Sequence, residues 1–421
     1  MPCVSIVIPT YNRAELLKQA LRSVLSQTFT DYEAIVVDDG STDNTREAVE
    51  SFRDDRLRYV WQENRGLGGA RNTGLAHSTG DLVAFLDSDD LLFPNMLELL
   101  VPAFDRHPQV GLVFGSHVRV FDDLSFPYPQ DFIHSRKDEM VGNMHLDFLD
   151  VCRIGVDDLV VRRELFDRFG GFDGSLAHCH DWNMWLRLSK EVDFCAVPGP
   201  VSAVRMHPSQ MSKDEPGMLE CELGLLKAFS PTDRDAGLAK RLARAEIRIY
   251  TRRAYLLFDR DTAQAAQWLA RAQQISDGIE EPATAATYVV DYASYASTYS
   301  DEDKERAAAA SQRCAAELHR AGGPLSEADA ARYFWRLAAS HAYRLGDYRT
   351  ALKWIGRLRR EHGFGVYTKV LIAIAAMSAV RLLATRRAGR VIYPIESILP
   401  RIANPPDATG DVSESQGVTQ R

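Results

Sequence analysis

The chain lacks the glycine-rich loop ending in lysine that cradles phosphates in P-loop enzymes, and that chemistry is set aside with it. A dinucleotide fingerprint is missing too. The first apolar run, Val4–Ile8, closes on Pro9, Thr10, Tyr11 and Asn12, while Gly66, Gly68 and Gly69 follow a strand without the required spacing. Cysteine is sparse. Cys3, Cys152, Cys179, Cys195, Cys221 and Cys314 show no paired spacing, as expected of reduced thiols in the cytoplasm. Basic charge is not in excess, and a net charge of −8 argues against a general nucleic-acid binder. No basic leader precedes Val4, so secretion is not expected. No apolar run reaches the ~20 residues that span a bilayer; Val370–Ala384 comes nearest and contains Arg381. What is left, 45% hydrophobic and 26% charged over 421 residues, is an ordinary globular chain long enough for two or more domains.

What is present centres on Gly80–Asp90. Val83–Leu86 is a short apolar run with polar flanks, as in a buried parallel strand, and Asp87, Asp89 and Asp90 stand at its carboxyl end. Ligands of open α/β sheets bind at that end. Clustered carboxylates repel one another, and a hard divalent cation, Mg²⁺ or Mn²⁺, relieves the repulsion. The plain alternative is an acidic helix start. Upstream, Val4–Ile8, Tyr32–Val37 and Leu57–Trp61 read as strands alternating with helices, and Ser41 or Thr42 is placed to cap the helix over 45–52. Right-handed crossovers then bring Tyr11, Asp39 and the Asp87 cluster to one sheet edge.

Four stretches in this order, Val4–Asn12, Val36–Asp43, Ala70–Asn72 and Phe85–Asp90, resemble the family 2 inverting glycosyltransferases of the GT-A fold. The resemblance covers roughly the first half. It implies a nucleotide-diphosphate sugar donor, often a UDP-sugar, and Mn²⁺ or Mg²⁺. By motif position it puts Pro9 and Tyr11 beside the nucleotide base, gives Asp39 a hydrogen bond from uracil, and brings Arg71 to the base or phosphates. Asp87 and Asp89 match the family's D-x-D, Asp89 as the principal metal ligand and Asp87 as a ribose or water-mediated contact. The alternatives are a turn at Tyr11, helix caps at Asp38 or Asp39, and a surface pair between Arg71 and Glu63.

Downstream, Val110–Phe114 and His117–Phe121 read as two strands, and 126–150 as a polar loop facing the acceptor. Leu159–Phe166 and Gly170–Asp173 again resemble the family, whose catalytic acid then falls at Asp181. One-step inverting displacement needs a base to take the acceptor hydroxyl's proton, and Asp181 is that candidate, with a simple N-cap as the alternative. The family carries Glu-Asp here and this chain has His180-Asp181, which puts the acceptor contact in doubt. His180 and Trp182 are placed on the acceptor side. Zinc at His178, Cys179 and His180 is a weaker reading, since three such residues rarely close a site without partners. Val204–Ser212 resembles the family's closing segment, in which His207 reaches the metal or diphosphate. The Gln-x-x-Arg-Trp element of processive synthases is absent, so single transfer is favoured.

Past Cys221 the composition turns to Ala, Arg and Leu, and strands stop. The fold class expected is therefore α/β, a GT-A (Rossmann-like, mostly parallel) domain over 1–221, followed by an all-α domain over 222–365. Leu238–Phe258 pairs with Thr262–Ile275, and Arg332–Leu345 with Tyr348–Arg359 in a tetratricopeptide-like hairpin without a regular period. This part either docks a protein partner or a second copy, or caps the catalytic half. Residues 366–403 form an apolar, basic-flanked helix, packed or lying on an anionic membrane surface, and 404–421 form a disordered tail. The function expected is transfer of one sugar to a carbohydrate, lipid-linked or protein acceptor, in the cytoplasm or peripherally at the inner face of the membrane. The rivals are a sugar nucleotidyltransferase and a non-catalytic nucleotide-binding module with a docking domain.

Overall fold

The computed structural model describes residues 2–120, 138–150, 154–207, 215–230, 236–258, 260–281 and 301–320, with isolated positions between and beyond them. Strands β1 (Val4–Thr10), β2 (Tyr32–Asp38), β3 (Leu57–Trp61) and β4 (Leu82–Phe85) alternate with helices α1 (Ala14–Leu25), α2 (Thr45–Glu50) and α3 (Gly66–His77). All four strands run parallel in the order β3-β2-β1-β4. Their tips therefore share one edge of the sheet.

Side-chain alternation decides which helix covers which face. Along β1, Val4, Ile6 and Ile8 pack under Leu17, Leu21 and Val24 of α1. Val7 points the other way, with Val83 and Phe85 of β4, into a second core containing Phe172 and Trp185. On that second face α3 lies so close to β1 that a Cβ on Gly74 would sit 2.2 Å from Val7 Cγ1. Gly74→Ala is expected to destabilise the fold by about 1–3 kcal/mol, the usual cost of overpacking, seen as a lower urea midpoint with an unchanged slope.

Beyond β4 the sheet turns mixed. β5 (Leu91–Leu92), β6 (Val110–Val120), β7 (Met140–Gly142), β8 (Leu159–Arg162) and β9 (Asp193–Arg205) continue it in the order β4-β8-β6-β9-β5, with β7 also on β9. β8 pairs antiparallel with both β4 and β6. Three local expectations change. The two strands foreseen over 110–121 are one, because the chain shifts register around Gly115 and Ser116 without leaving the sheet. β5 was not foreseen, being two residues long. The N-cap position of α2 is Asn44, not Ser41 or Thr42, and Asp43 just before it takes the free amides: its Oδ1 accepts from the Thr45 amide at 3.1 Å, and its Oδ2 from the Ala14 amide at 3.2 Å.

Short helices α4 (Met96–Leu100), α5 (Pro102–Arg106), α6 (His145–Asp150), α7 (Glu164–Phe169) and α8 (His180–Ser189) complete the α/β part. α9 (Glu215–Phe229), α10 (Ala236–Leu257), α11 (Thr262–Gly278) and α12 (Asp301–Arg320) follow. Leu219, Leu225 and Leu226 of α9, with Leu242, Ala245 and Ile249 of α10, join the same apolar cluster as Phe148, Trp182 and Trp185. Residue 221, the boundary expected from composition, lies inside α9. Glu222 is buried there, and its carboxylate accepts from Arg253 Nε at 3.0 Å as well as from the Arg252 guanidinium. Asp261 caps α11 by accepting from the Gln264 amide at 2.9 Å. The tetratricopeptide-like hairpin, the 366–403 helix and the tail lie outside the described residues, as does 126–137 of the segment expected as an acceptor-side loop; its described part, 138–150, holds β7 and α6 instead of a loop. Among the described residues no helix is long and apolar enough to cross a membrane.

Candidate active site

The tips of β1 and β2 are latched together by Asn12. This residue takes a left-handed backbone, φ 51°, which asparagine tolerates better than most side chains. Its amide donates to Ser41 Oγ at 2.9 Å, and its Oδ1 accepts from the Thr42 amide at 2.8 Å. Pro9 is buried opposite Val37, and the chain then turns Tyr11 outward, 48% exposed. Tyr11 closes the turn and also leaves its ring open to the groove at the strand tips.

Asp39 begins just past β2. Its amide donates to Thr10 O at 2.9 Å, and its Oδ1 accepts from Gln62 Nε2 and, at 2.8 Å, from the Arg65 amide. It caps no helix. Asp38 is turned the other way and accepts from the Ser41 amide at 2.8 Å and from the Tyr59 hydroxyl. Of this pair, Asp39 is the one held at the tip by loop donors.

Arg71 of α3 is 3% exposed and does not pair with Glu63. Its Nη2 donates to Asp87 Oδ1 at 2.6 Å, and the guanidinium lies 5.3 Å from the Phe172 ring centroid, a cation–π distance. Burial works against its charge, yet Asp87, Asp181 and Asp157 together raise its pKa above the usual arginine value. Nε has no partner among the described residues. The Arg71 position thus joins the β4 tip to the start of α8.

The acids after β4 divide the labour. Asp89 Oδ2 lies 2.8 Å from His207 Nε2 and is also paired with the Arg13 guanidinium. Asp90 is buried, and its Oδ1 accepts from the Arg205 amide at 2.7 Å. Arg205 Nε in turn donates to the Asp89 carbonyl at 2.8 Å, and its Nη2 to Gln19 at 2.8 Å. Asp157 accepts from the Asp87 amide at 2.7 Å. Burial pushes both Asp90 and Asp157 well above the ordinary carboxylate range, with repulsion from Asp89 adding to it at Asp90 and repulsion from Asp90 and Asp87 at Asp157. Asp158 beside them stays below that range: burial opposes its charge, but His117 at 2.7 Å and Ser202 at 2.6 Å outweigh burial.

Oxygens of Asp87, Asp90 and Asp157 converge within 4.8 Å of one another. The Asp89–His207 separation of 2.8 Å matches the ~3 Å between neighbouring donors of an octahedral ion with bonds of about 2.1 Å. Hard carboxylate oxygens suit Mg²⁺ or Mn²⁺. The residues present fit such an ion. The zinc reading does not hold, since His178, Cys179 and His180 form no convergent donor set among the described residues.

Asp181 is in the first turn of α8, entered through a left-handed Cys179 with φ 54°. It is not the N-cap. Its Oδ1 accepts from the Trp182 amide at 2.7 Å. Burial raises its pKa above the ordinary value; Arg71 and the Trp182 amide pull it back, and Asp87 adds repulsion. The expected acceptor-side pair is differently employed. Trp182 is buried, its indole Nε1 donating to Phe148 O at 2.6 Å, which makes it a core residue under α6. His180 is buried too, its ring against Gly68 of α3, where an added Cβ would meet Cδ2 at 3.0 Å. Burial, then the neighbouring Arg71, lowers its pKa and keeps the imidazole neutral. His180 thus spaces α8 from α3.

Sequence reading missed Arg13, Asp157, Phe172 and Arg205 as members of this site; Asp90 it placed in the acid cluster beside the D-x-D without a role of its own.

A parallel half-sheet whose tips carry an acid-rich groove, continued by a mixed half that supplies a further acid on a helix, defines a glycosyltransferase of the GT-A type. The family model "Glycosyl transferase family 2" matches residues 5–170. A β-1,3-glucosyltransferase of Escherichia coli, named UDP-Glc:alpha-D-GlcNAc-diphosphoundecaprenol beta-1,3-glucosyltransferase WfgD, is 31% identical over 198 residues, covering 46% of this chain and 72% of that protein. The chain belongs to glycosyltransferase family 2. An uncharacterized glycosyltransferase of Nostoc sp. is 41% identical over 122 residues, 28% of this chain and 37% of that protein. The chain thus spans little more than a third of one curated relative and about seven tenths of the other. Among solved structures, S. aureus TarS 1-349 in complex with UDP aligns over 82% of this chain and 91% of that one, with 20% identity and a TM-score of 0.49.

Proposed function

We propose that the chain transfers a single sugar from a UDP-sugar to an acceptor hydroxyl with inversion at the anomeric carbon, using a bound Mn²⁺ or Mg²⁺. The observation that supports this best is the placement of Arg71 between Asp87 of the β4 tip and Asp181 of α8. A diphosphate-side group and a base candidate are then linked through one guanidinium. Pro9 and Tyr11 flank the nucleotide base in this reading, and Asp39 accepts from uracil through Oδ2, the oxygen its loop donors leave clear.

Asp89 and His207 would hold the cation, which when bound neutralises charge on the departing diphosphate, with Asp87 beside them as a ribose or water-mediated contact. Everything else falls to the chain itself. Asp181 takes the acceptor hydroxyl's proton as that oxygen attacks, while the bond from the anomeric carbon to the diphosphate breaks on the opposite side. A carboxylate is a weak base towards an alcohol, so the proton moves late, after bond formation has acidified the oxygen. Burial that lifts the Asp181 pKa makes it a better acceptor, and Arg71 pulls that pKa part of the way back. Lipid-linked glycan is the acceptor class we favour, because the Escherichia coli relative's name specifies a diphosphoundecaprenol-linked sugar.

Two measurements bear on this. A thermal-shift screen of UDP, GDP and ADP with Mn²⁺ and with chelator should show UDP stabilising most, and only with cation. Turnover should release free nucleoside diphosphate; release of pyrophosphate from a sugar and a nucleoside triphosphate would make the chain a nucleotidyltransferase. The pH profile is a further prediction. The base must be ionised and its pKa is raised, so kcat/KM should fall on acidification with a midpoint above about 4, the ordinary aspartate value. A limb at or below that value would remove Asp181 as the base.

A further inference from the structure

Arg13 has no part in the scheme above, yet its guanidinium is paired with the very carboxylate assigned to the cation. It precedes the first turn of α1 at the N-cap position, its side chain 35% exposed. Asp89 Oδ2 is shared between Arg13 Nη1 and His207 Nε2, while the Asp89 backbone is fixed from behind by Arg205. The carboxylate is held through its backbone by Arg205 and its side chain by His207, whereas the long Arg13 side chain is partly exposed and can swing away. A divalent ion that takes Asp89 Oδ2 meets a full positive charge at contact distance. The mobile partner then has to leave. Around it the only mobile anion on offer is the donor's diphosphate, and guanidinium groups bind phosphate oxygens in a fork.

We propose that Arg13 is the displaceable counter-ion of Asp89: it occupies the carboxylate until a divalent cation takes it, and then moves to the nucleotide's diphosphate. Cation and nucleotide binding are thereby coupled, because the ion frees the arginine that the diphosphate uses. This rests on the reading of Asp89 as a cation ligand. Arg13 lowers affinity for the ion alone and raises affinity for nucleoside diphosphate once the ion is bound. A residue that only braces the fold would shift both in the same direction.

The test uses the full chain with Mn²⁺ alone and with UDP, followed by titration calorimetry and by the free-ion paramagnetic resonance signal. Arg13→Ala and Arg13→Gln should bind Mn²⁺ about fivefold more tightly than wild type without nucleotide. In saturating Mn²⁺ both should bind UDP about tenfold more weakly, with Arg13→Lys between them and wild type. Unfolding midpoints recorded alongside separate these changes from loss of fold, and the glutamine variant serves where alanine frays the start of α1. Variants that bind Mn²⁺ no more tightly than wild type overturn the counter-ion role, whatever happens to UDP. Wild-type protein that takes up no Mn²⁺ even with UDP overturns the cation assignment, and this proposal with it.

Discussion

Asp181→Asn is expected to lower kcat by about a thousandfold, within the range that a general base contributes, with donor affinity close to wild type. Asparagine is nearly the same size and can still accept from the Trp182 amide, so the start of α8 keeps its shape. Stability gives an independent control. The folded pKa of Asp181 lies above its ordinary value. The linked stabilisation is therefore fully present below the unfolded pKa and is lost as pH rises through the folded one. At neutral pH the ionised form is a net cost to the fold, and the amide removes that cost. The variant should melt at or above the wild-type temperature while being nearly inactive. Retained turnover would take Asp181 out of the mechanism, and a lower melting temperature would assign the lost activity to damage.

The second large effect is expected at Asp89. Asp89→Ala removes a carboxylate assigned to the ion and should weaken Mn²⁺-dependent UDP binding by about a hundredfold or more, since even groups that merely support metal ligands contribute ten- to a hundredfold. At a nucleotide concentration a hundred times the wild-type Kd, ligand stabilisation is about 2.7 kcal/mol, and a hundredfold loss leaves roughly 0.4 kcal/mol. The UDP-induced shift in melting temperature should almost vanish, and chelator should have no further effect. Wild-type binding of UDP that is indifferent to chelator would count against the whole D-x-D assignment.

The parallel half was legible because each of its strands is either an unbroken apolar run or ends on a turn residue with a physical signature. Val83–Leu86 is such a run with Asp87 directly after it, Tyr32–Val37 leads straight into Asp38 and Asp39, and Val4–Ile8 closes on Pro9. The mixed half was less legible. β6 crosses Gly115 and Ser116, which read locally as a break, and the strand persists only because β9 follows it through shifted register. The partners within the site were invisible for a different reason. Arg13 and Asp89 are 76 residues apart, and Asp87 and Asp157 are 70 apart. Nothing local in Asp157 distinguishes it from a surface acid; insertion of β8 between β4 and β6 carries it under the β4 tip. His180 and Trp182 were misjudged because a helix start beside a catalytic acid looks open in sequence. Gly68 and α6 close it.

The apolar cluster shared by Trp182, Leu219, Leu226 and Leu242 bears on how this enzyme can be cut down for study. A fragment trimmed at residue 221, where composition changes, would sever α9 at mid-length and strip the oily underside of α8. It would also leave Arg252 and Arg253 without the carboxylate of Glu222. A piece ending with α10 at Leu257 would keep that cluster, but α10 also buries Ile247 and Ala254 against Ala265 and Leu269 of α11, so a piece that keeps both faces of α10 covered runs at least to Gly278.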